Sequence, residues 1–156
     1  MKKLALLILL MMIFQSSVFS RPVVFNDDGK FGLKDENGNI VVKAEYKKLI
    51  RLGESGWIIQ KGSKFGIMND EGKILVEPKY NRADRVLGKF AKLTKGEKNG
   101  LFDEKGFVIL PPEYSSIDLL FGGMFLTCKN YKYGVTDFNG QPILDNIFDD
   151  IYMPKP

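Results

Sequence analysis

The feature that most constrains this chain is a spacing. The stretch KFGLKDENGNIVVKAEY (30–46) returns 34 residues later as KFGIMNDEGKILVEPKY (64–80). It returns again as KNGLFDEKGFVILPPEY (98–114) and, more loosely, as KYGVTDFNGQPILDNIF (132–148). A fixed period of this kind marks a tandem repeat, in which each unit buries its apolar face against its neighbours. The units run 21–54, 55–88, 89–122 and 123–156, with no insertion or deletion between them.

Four columns recur in every unit. Gly32, Gly66, Gly100 and Gly134 form one, and Gly38, Gly72, Gly106 and Gly140 another. Tyr46, Tyr80, Tyr114 and Phe148 form an aromatic column, and Lys30, Lys64, Lys98 and Lys132 a basic one. The second glycine column closes DENG, NDEG, DEKG and DFNG. Asp or Asn opening such a turn and Gly closing it predicts a type I turn followed by a positive-φ residue, the G1-bulge hairpin. FGL, FGI, NGL and YGV precede the turn, and NIVV, KILV, FVIL and QPIL follow it. That β-branched content favours strands.

A third strand is predicted ahead of each hairpin, at PVVFN, GWIIQ, FAKLT and MFLTC. Its apolar columns, Val23, Trp57, Ala91, Phe125 and Phe25, Ile59, Leu93, Thr127, are two residues apart and share one face. The first glycine column falls inside a strand, which implies close approach of a ring or a neighbouring backbone. Pro78, Pro111 and Pro112 are expected to end sheet pairing, with the aromatic column plugging the core. Leu49, Ala83, Ile117 and Ile151 then mark either a turn of tight helix or a short strand.

The chain is therefore expected to be all-β, four copies of a three-stranded antiparallel unit. A four-stranded propeller blade takes about 40 residues or more. An open twisted array is accordingly favoured over a small closed propeller.

The N-terminus reads separately. Lys2 and Lys3 precede an apolar run, Leu4–Phe14, and a small-residue exit to Ser20. That is the form of a secretory signal, and the run is short for a membrane span, which needs about 20 residues. Cleavage after Ser20 would leave a single repeat domain, 21–156, that is periplasmic or secreted; an uncleaved tether is the alternative. Formal charge is +4, and +2 without Lys2 and Lys3, which argues against nucleic acid as a partner. Cys128 is the single cysteine, so no internal disulfide staples the core. Its column-mates Asn26, Gln60 and Thr94 predict a solvent-facing position.

The pattern aromatic-Gly-Leu-x-Asp-x-x-Gly-x-Val-Val-x-Pro-x-x-Tyr resembles the bacterial WG-repeat (KWG) family, over all four units. The signature Trp is replaced by Phe31, Phe65, Asn99 and Tyr133, while Trp57 lies on another strand. Pro142 and Asn146 give the fourth unit the look of a capping copy. The resemblance implies a repeat fold and carries over no catalytic residue or cofactor.

Chemistry is sparse. The chain has no histidine, which removes His-based nucleophile arrangements and most zinc and copper sites. NDDG and DENGN superficially suggest calcium loops, but the spacing of oxygen ligands fails, and turn formation explains them. No cofactor or metal is expected. The sharpest candidate is a stripe, Lys61, Lys64, Lys95, Lys98, Lys129 and Lys132, which in-register stacking would align toward an acidic partner or an anionic envelope surface. The same lysines could simply keep strand ends soluble. The leading expectation is a non-catalytic extracytoplasmic binding or scaffold module whose partner is another protein. A periplasmic toxin-neutralising protein and a small carboxylate-dependent envelope hydrolase are the alternatives.

Overall fold

The computed structural model describes residues 21–152. The signal-like segment 1–20 lies outside the described residues. Fifteen strands form four antiparallel sheets. The first holds β1 (Val23–Asp27), β2 (Lys30–Lys34) and β3 (Ile40–Tyr46). The second holds β4 (Lys48–Leu52), β5 (Gly56–Lys61), β6 (Lys64–Asn69) and β7 (Ile74–Tyr80). The third holds β8 (Arg82–Val86), β9 (Phe90–Lys95), β10 (Lys98–Asp103) and β11 (Val108–Tyr114). The fourth holds β12 (Ser116–Leu120), β13 (Met124–Lys129), β14 (Lys132–Asp137) and β15 (Pro142–Phe148).

The segment left open between helix and strand is thus a strand in three of its four copies, Ile151 being the exception. Moreover, it crosses the sequence-defined unit boundary: β4, β8 and β12 each lead the sheet built by the following repeat. Leu49 pairs with Ile59, Ala83 with Leu93 and Ile117 with Thr127. The three-stranded unit is therefore the trailing part of a four-stranded sheet, except in the first sheet, which has three strands among the described residues.

Each hairpin turn is fixed by its first residue. Asp35 Oδ1 accepts from the backbone N–H of Asn37 at 2.9 Å and of Asn39 at 2.8 Å. Asp103 and Asp137 repeat both contacts, and Asn69 repeats the second. Gly38, Gly72, Gly106 and Gly140 then take φ of +83°, +85°, +80° and +81°, the left-handed region that L side chains avoid. A second constraint was invisible in sequence. A Cβ on Gly106 would lie 2.8 Å from Leu75 Cβ, and one on Gly140 would strike the Ile109 carbonyl oxygen. The turn of one sheet is therefore seated on the last strand of the sheet before it.

The first glycine column is explained by backbone, not by a ring alone. Phe65 pairs with Tyr80 and Ile67 with Val76, so β7 uses four residues where β6 uses two. The resulting bulge presses on Gly66, where a Cβ would sit 2.8 Å from Pro78 N. The expectation that Pro78, Pro111 and Pro112 end pairing is corrected here. Pro78 lies within β7, and Pro111 and Pro112 within β11, at a bulge that asks nothing of the missing N–H groups, and pairing resumes at the aromatic residue. Asn146 fills this position in β15 and donates through Nδ2 to the carbonyls of Thr127 (3.0 Å) and Lys132 (3.1 Å).

The sheets stack in sequence order. Strands β2 and β3 face β4 and β5, β6 and β7 face β8 and β9, and β10 and β11 face β12 and β13. The trailing half of each sheet thus packs on the leading half of the next. Three apolar clusters fill these three interfaces. Leu33, Val42 and Tyr46 meet Trp57, Ile59 and Met68. Leu52, Ile67 and Tyr80 meet Leu93 and Phe102, and Leu101 and Leu110 meet Ile117 and Phe125. No apolar cluster among the described residues joins the fourth sheet to the first. The array is open.

Two expectations about faces are corrected by this stagger. Val23 shares the Trp57 column but is 61% exposed, because among the described residues nothing stacks on the leading side of the first sheet. The fourth unit does not carry a polar cap. Ile143, Leu144, Ile147 and Phe148 are all exposed on β15.

Candidate functional site

Successive strands alternate direction, so the turns fall at two opposite ends of the stack. One end carries the β5–β6, β9–β10 and β13–β14 turns. Lys61 pairs with Lys64, Lys95 with Lys98 and Lys129 with Lys132 across them. All six candidate lysines therefore share one end, two per sheet, on three consecutive sheets.

Like charges directly opposite each other repel, and the fold answers this unevenly. Lys61 Nζ lies 3.0 Å from Glu45 Oε1, Lys129 pairs with Glu113, and Lys132 pairs with Asp149. The Lys61 hydrogen bond holds the Glu45 carboxyl below the usual range, while Glu113 pushes the Lys129 ammonium up. Lys79 occupies the column of Glu45 and Glu113, so Lys95 faces a cation where Lys61 and Lys129 face carboxylates. Among the described residues Lys64, Lys95 and Lys98 have no ion-pair partner. The stripe is thus concentrated on the second and third sheets. The acidic partners were missed in the sequence because they lie 16 or 17 residues away, across a bulge whose offset no pattern announces.

Tyr46 and Tyr80 back this end of the stack. Burial, with the neighbouring Glu45 carboxylate, pushes the Tyr46 hydroxyl up to about 12, and burial raises Tyr80. Lys61 Nζ lies 5.8 Å from the Tyr46 ring centroid, and Lys129 Nζ 5.9 Å from that of Tyr114. The ammonium groups of these two lysines therefore sit between a carboxylate and the face of the aromatic column.

The opposite end holds the other polar clusters. Asp70 is buried and accepts from Trp57 Nε1 at 2.7 Å and from the Arg51 guanidinium, which also lies over the Trp57 ring at 4.9 Å. All of Asp70's strong partners are internal, so it anchors the Trp57 ring rather than offering a reactive carboxylate. An open groove of about 550 Å³ lies nearby, lined by Lys89, Phe90, Glu104, Phe107 and Phe138 among others. Lys89 Nζ lies over the Phe90 and Phe138 rings, and the Glu104 carboxylate accepts from the Glu54 backbone N–H. Glu54 pairs with Arg21, and Asp103 caps its own hairpin, so three of the groove's carboxylates serve the fold itself.

The turns that suggest calcium loops use their oxygens locally. Asp35 caps its own hairpin, and Asn26 Oδ1 accepts from the Gly29 N–H at 3.2 Å. Among the described residues no cluster of three acidic or cysteine side chains could hold a metal ion. Cys128 is corrected: it is a free thiol and buried, against its expected solvent-facing position.

These columns and this stack match a known family, described as WG containing repeat, at residues 31–61, 65–98 and 100–133. The chain belongs to the WG-repeat family. No curated protein and no solved structure matches it. Each matched stretch begins beside the first glycine column and runs on into the next sheet, so a WG repeat is cut across a sheet boundary, as β4, β8 and β12 require. The WG-repeat position held by Phe31, Phe65, Asn99 and Tyr133 opposes the aromatic column: Phe31 pairs with Tyr46, Phe65 with Tyr80, Asn99 with Tyr114 and Tyr133 with Phe148. Asn99, in place of a ring, donates through Nδ2 to the Ser115 carbonyl at 2.9 Å and accepts from the Thr94 hydroxyl at 2.8 Å.

Proposed function

We propose that this WG-repeat protein is a non-catalytic, exported binding module that engages the acidic surface of another protein with the lysine end of its stack. The observation that carries the reading is the grouping of Lys64, Lys95 and Lys98, without acidic partners among the described residues, on adjacent sheets of one stack. A row of cations held at fixed spacing on rigid strands raises local potential and steers an acidic partner. A periplasmic protein that neutralises a toxin by capping it would use the same surface.

The test is crosslinked capture from an envelope fraction, comparing wild type with the triple variant Lys64→Glu, Lys95→Glu, Lys98→Glu. Each exposed charge contributes about 0–1 kcal/mol, so single reversals should weaken capture mildly. The triple reversal should weaken it about tenfold or more at low salt, and the difference should shrink at about 0.5 M salt. Capture that is unchanged by the triple reversal, or lost equally at all salt concentrations, overturns the reading. Export is tested apart from binding: intact mass of the exported protein should place its N-terminus at Arg21.

A further inference from the structure

The two outer faces of the open stack are complementary to each other. In each internal interface a leading strand pairs with the strand after it while an aromatic and an aliphatic residue of the preceding sheet pack beneath. Leu110 is 1% exposed and Tyr80 4% under such a cover, but their column-mates Leu144 and Phe148 on β15 are 41% and 39% exposed. On the other side, the first sheet shows Val23 and Val24 to solvent, and among the described residues no strand pairs with the outer edge of β1.

The missing strand has a counterpart elsewhere in the chain. Asp150, Ile151 and Tyr152 stand 34 residues after Ser116, Ile117 and Asp118, which open the leading strand β12. They follow β15 without pairing to any strand. Among the described residues the first sheet has no leading strand, and the last sheet is followed by residues in the leading-strand columns that pair with nothing.

We propose that a second copy of this chain docks head to tail, so that residues 149–152 of one copy pair with the outer edge of β1 in the next. The internal interfaces fix the register. Lys48 opposes Gln60, Leu49 opposes Ile59 and Ile50 opposes Ile58. Shifted by the period, Asp150 opposes Asn26, Ile151 opposes Phe25 and Tyr152 opposes Val24 of the second copy. The N–H groups of Lys47, Asn81 and Ser115 donate to Gln60, Thr94 and Cys128 carbonyls at 2.7, 2.7 and 2.8 Å. By the same rule Asp149 N–H would donate to the Asn26 carbonyl. Phe148 and Leu144 would meet Val23 and Phe25, as Tyr46 and Val42 meet Trp57 and Ile59 in the first internal interface. Lys34 takes the place of Met68 in this junction. Its ammonium lies over the Phe25 ring, 4.5 Å from the centroid, and on docking its long stem would carry the charge out to the rim.

This contact is heterologous: the surfaces on the two copies differ, so association does not close on itself and yields open chains. Pairing at an exposed sheet edge supplies backbone hydrogen bonds, and alternate side chains set the register. The lysine end of the stack would then continue from copy to copy.

Sedimentation velocity on the untagged exported protein tests this, with the N-terminus read by intact mass. Wild type should show a mean mass that rises continuously with concentration. Val23→Lys, which blocks the leading face, and Phe148→Lys, which blocks the trailing face, should each be monomeric. Both positions are exposed, so neither change should disturb folding, and unchanged urea midpoints would establish that. Mixing the two variants should give a one-to-one dimer and nothing larger, because one good face of each kind remains. Three outcomes overturn the proposal: wild type monomeric throughout, a dimer that survives Val23→Lys, or no dimer from the mixture.

Discussion

Gly38→Ala and Gly106→Ala make the same chemical change at the same turn position and should differ about twofold or more in cost. Both glycines sit at positive φ, +83° and +80°, and an L side chain there costs about 1–2 kcal/mol. Gly38 has no heavy atom within 4 Å of a built Cβ, so that cost is the whole effect. At Gly106 the new Cβ lies 2.8 Å from Leu75 Cβ and 3.3 Å from the Leu75 carbonyl oxygen. Neither neighbour is the free end of a flexible side chain, so the third sheet must lift from the second. Overpacking of this kind adds about 1–3 kcal/mol. Gly106→Ala should therefore cost about 2–5 kcal/mol in urea denaturation followed by Trp57 fluorescence, and Gly38→Ala about half as much or less. Equal costs would refute the seating of each turn on the preceding sheet and leave only the local turn requirement.

Asp70→Ala should destabilise by about 2 kcal/mol, because it strands the buried Trp57 indole N–H, and the emission of Trp57 should shift as its anchor is lost. Tyr46 is a neutral phenol whose folded value, pushed up to about 12 by burial, lies above the ordinary phenol value of 10.0. Its contribution is complete below pH about 10 and declines as pH rises toward 12, since only the unfolded chain ionises readily there. Tyr46→Phe should flatten that alkaline decline in a urea-midpoint series across pH 9–12. Cys128 is buried and should react with a thiol reagent only in denaturant; rapid labelling of the native protein would contradict its placement.

Periodicity carried most of the fold. The turn-closing glycines, the aromatic column and the apolar faces of β5, β9 and β13 are dictated by local backbone and packing needs that repeat with the sequence. The leading strands were harder to read because KLIRL, RADRV and SIDLL share little beyond one apolar column. Their strand character comes from pairing with the next repeat, which is a nonlocal cause. Pro78 and Pro112 misled for a related reason: a proline at a bulge and a proline at a strand end look alike until the partner strand is known. Cys128 misled because its column-mates Asn26, Gln60 and Thr94 are polar, while the fourth sheet buries that position beside Ser116 and Tyr133. Of the candidate site, the six lysines and their common end were legible, but their acidic partners were not.

The openness of the stack is tested most directly by a cysteine pair, Val23→Cys with Phe148→Cys, in a Cys128→Ser background. The equivalent residues Trp57 and Tyr46 lie in one apolar cluster, so a ring that closed the fourth sheet on the first would bring this pair into contact within one chain. Oxidised at high dilution and weighed intact, the protein should keep two free thiols and form no internal disulfide. A quantitative disulfide within the monomer would contradict the open array.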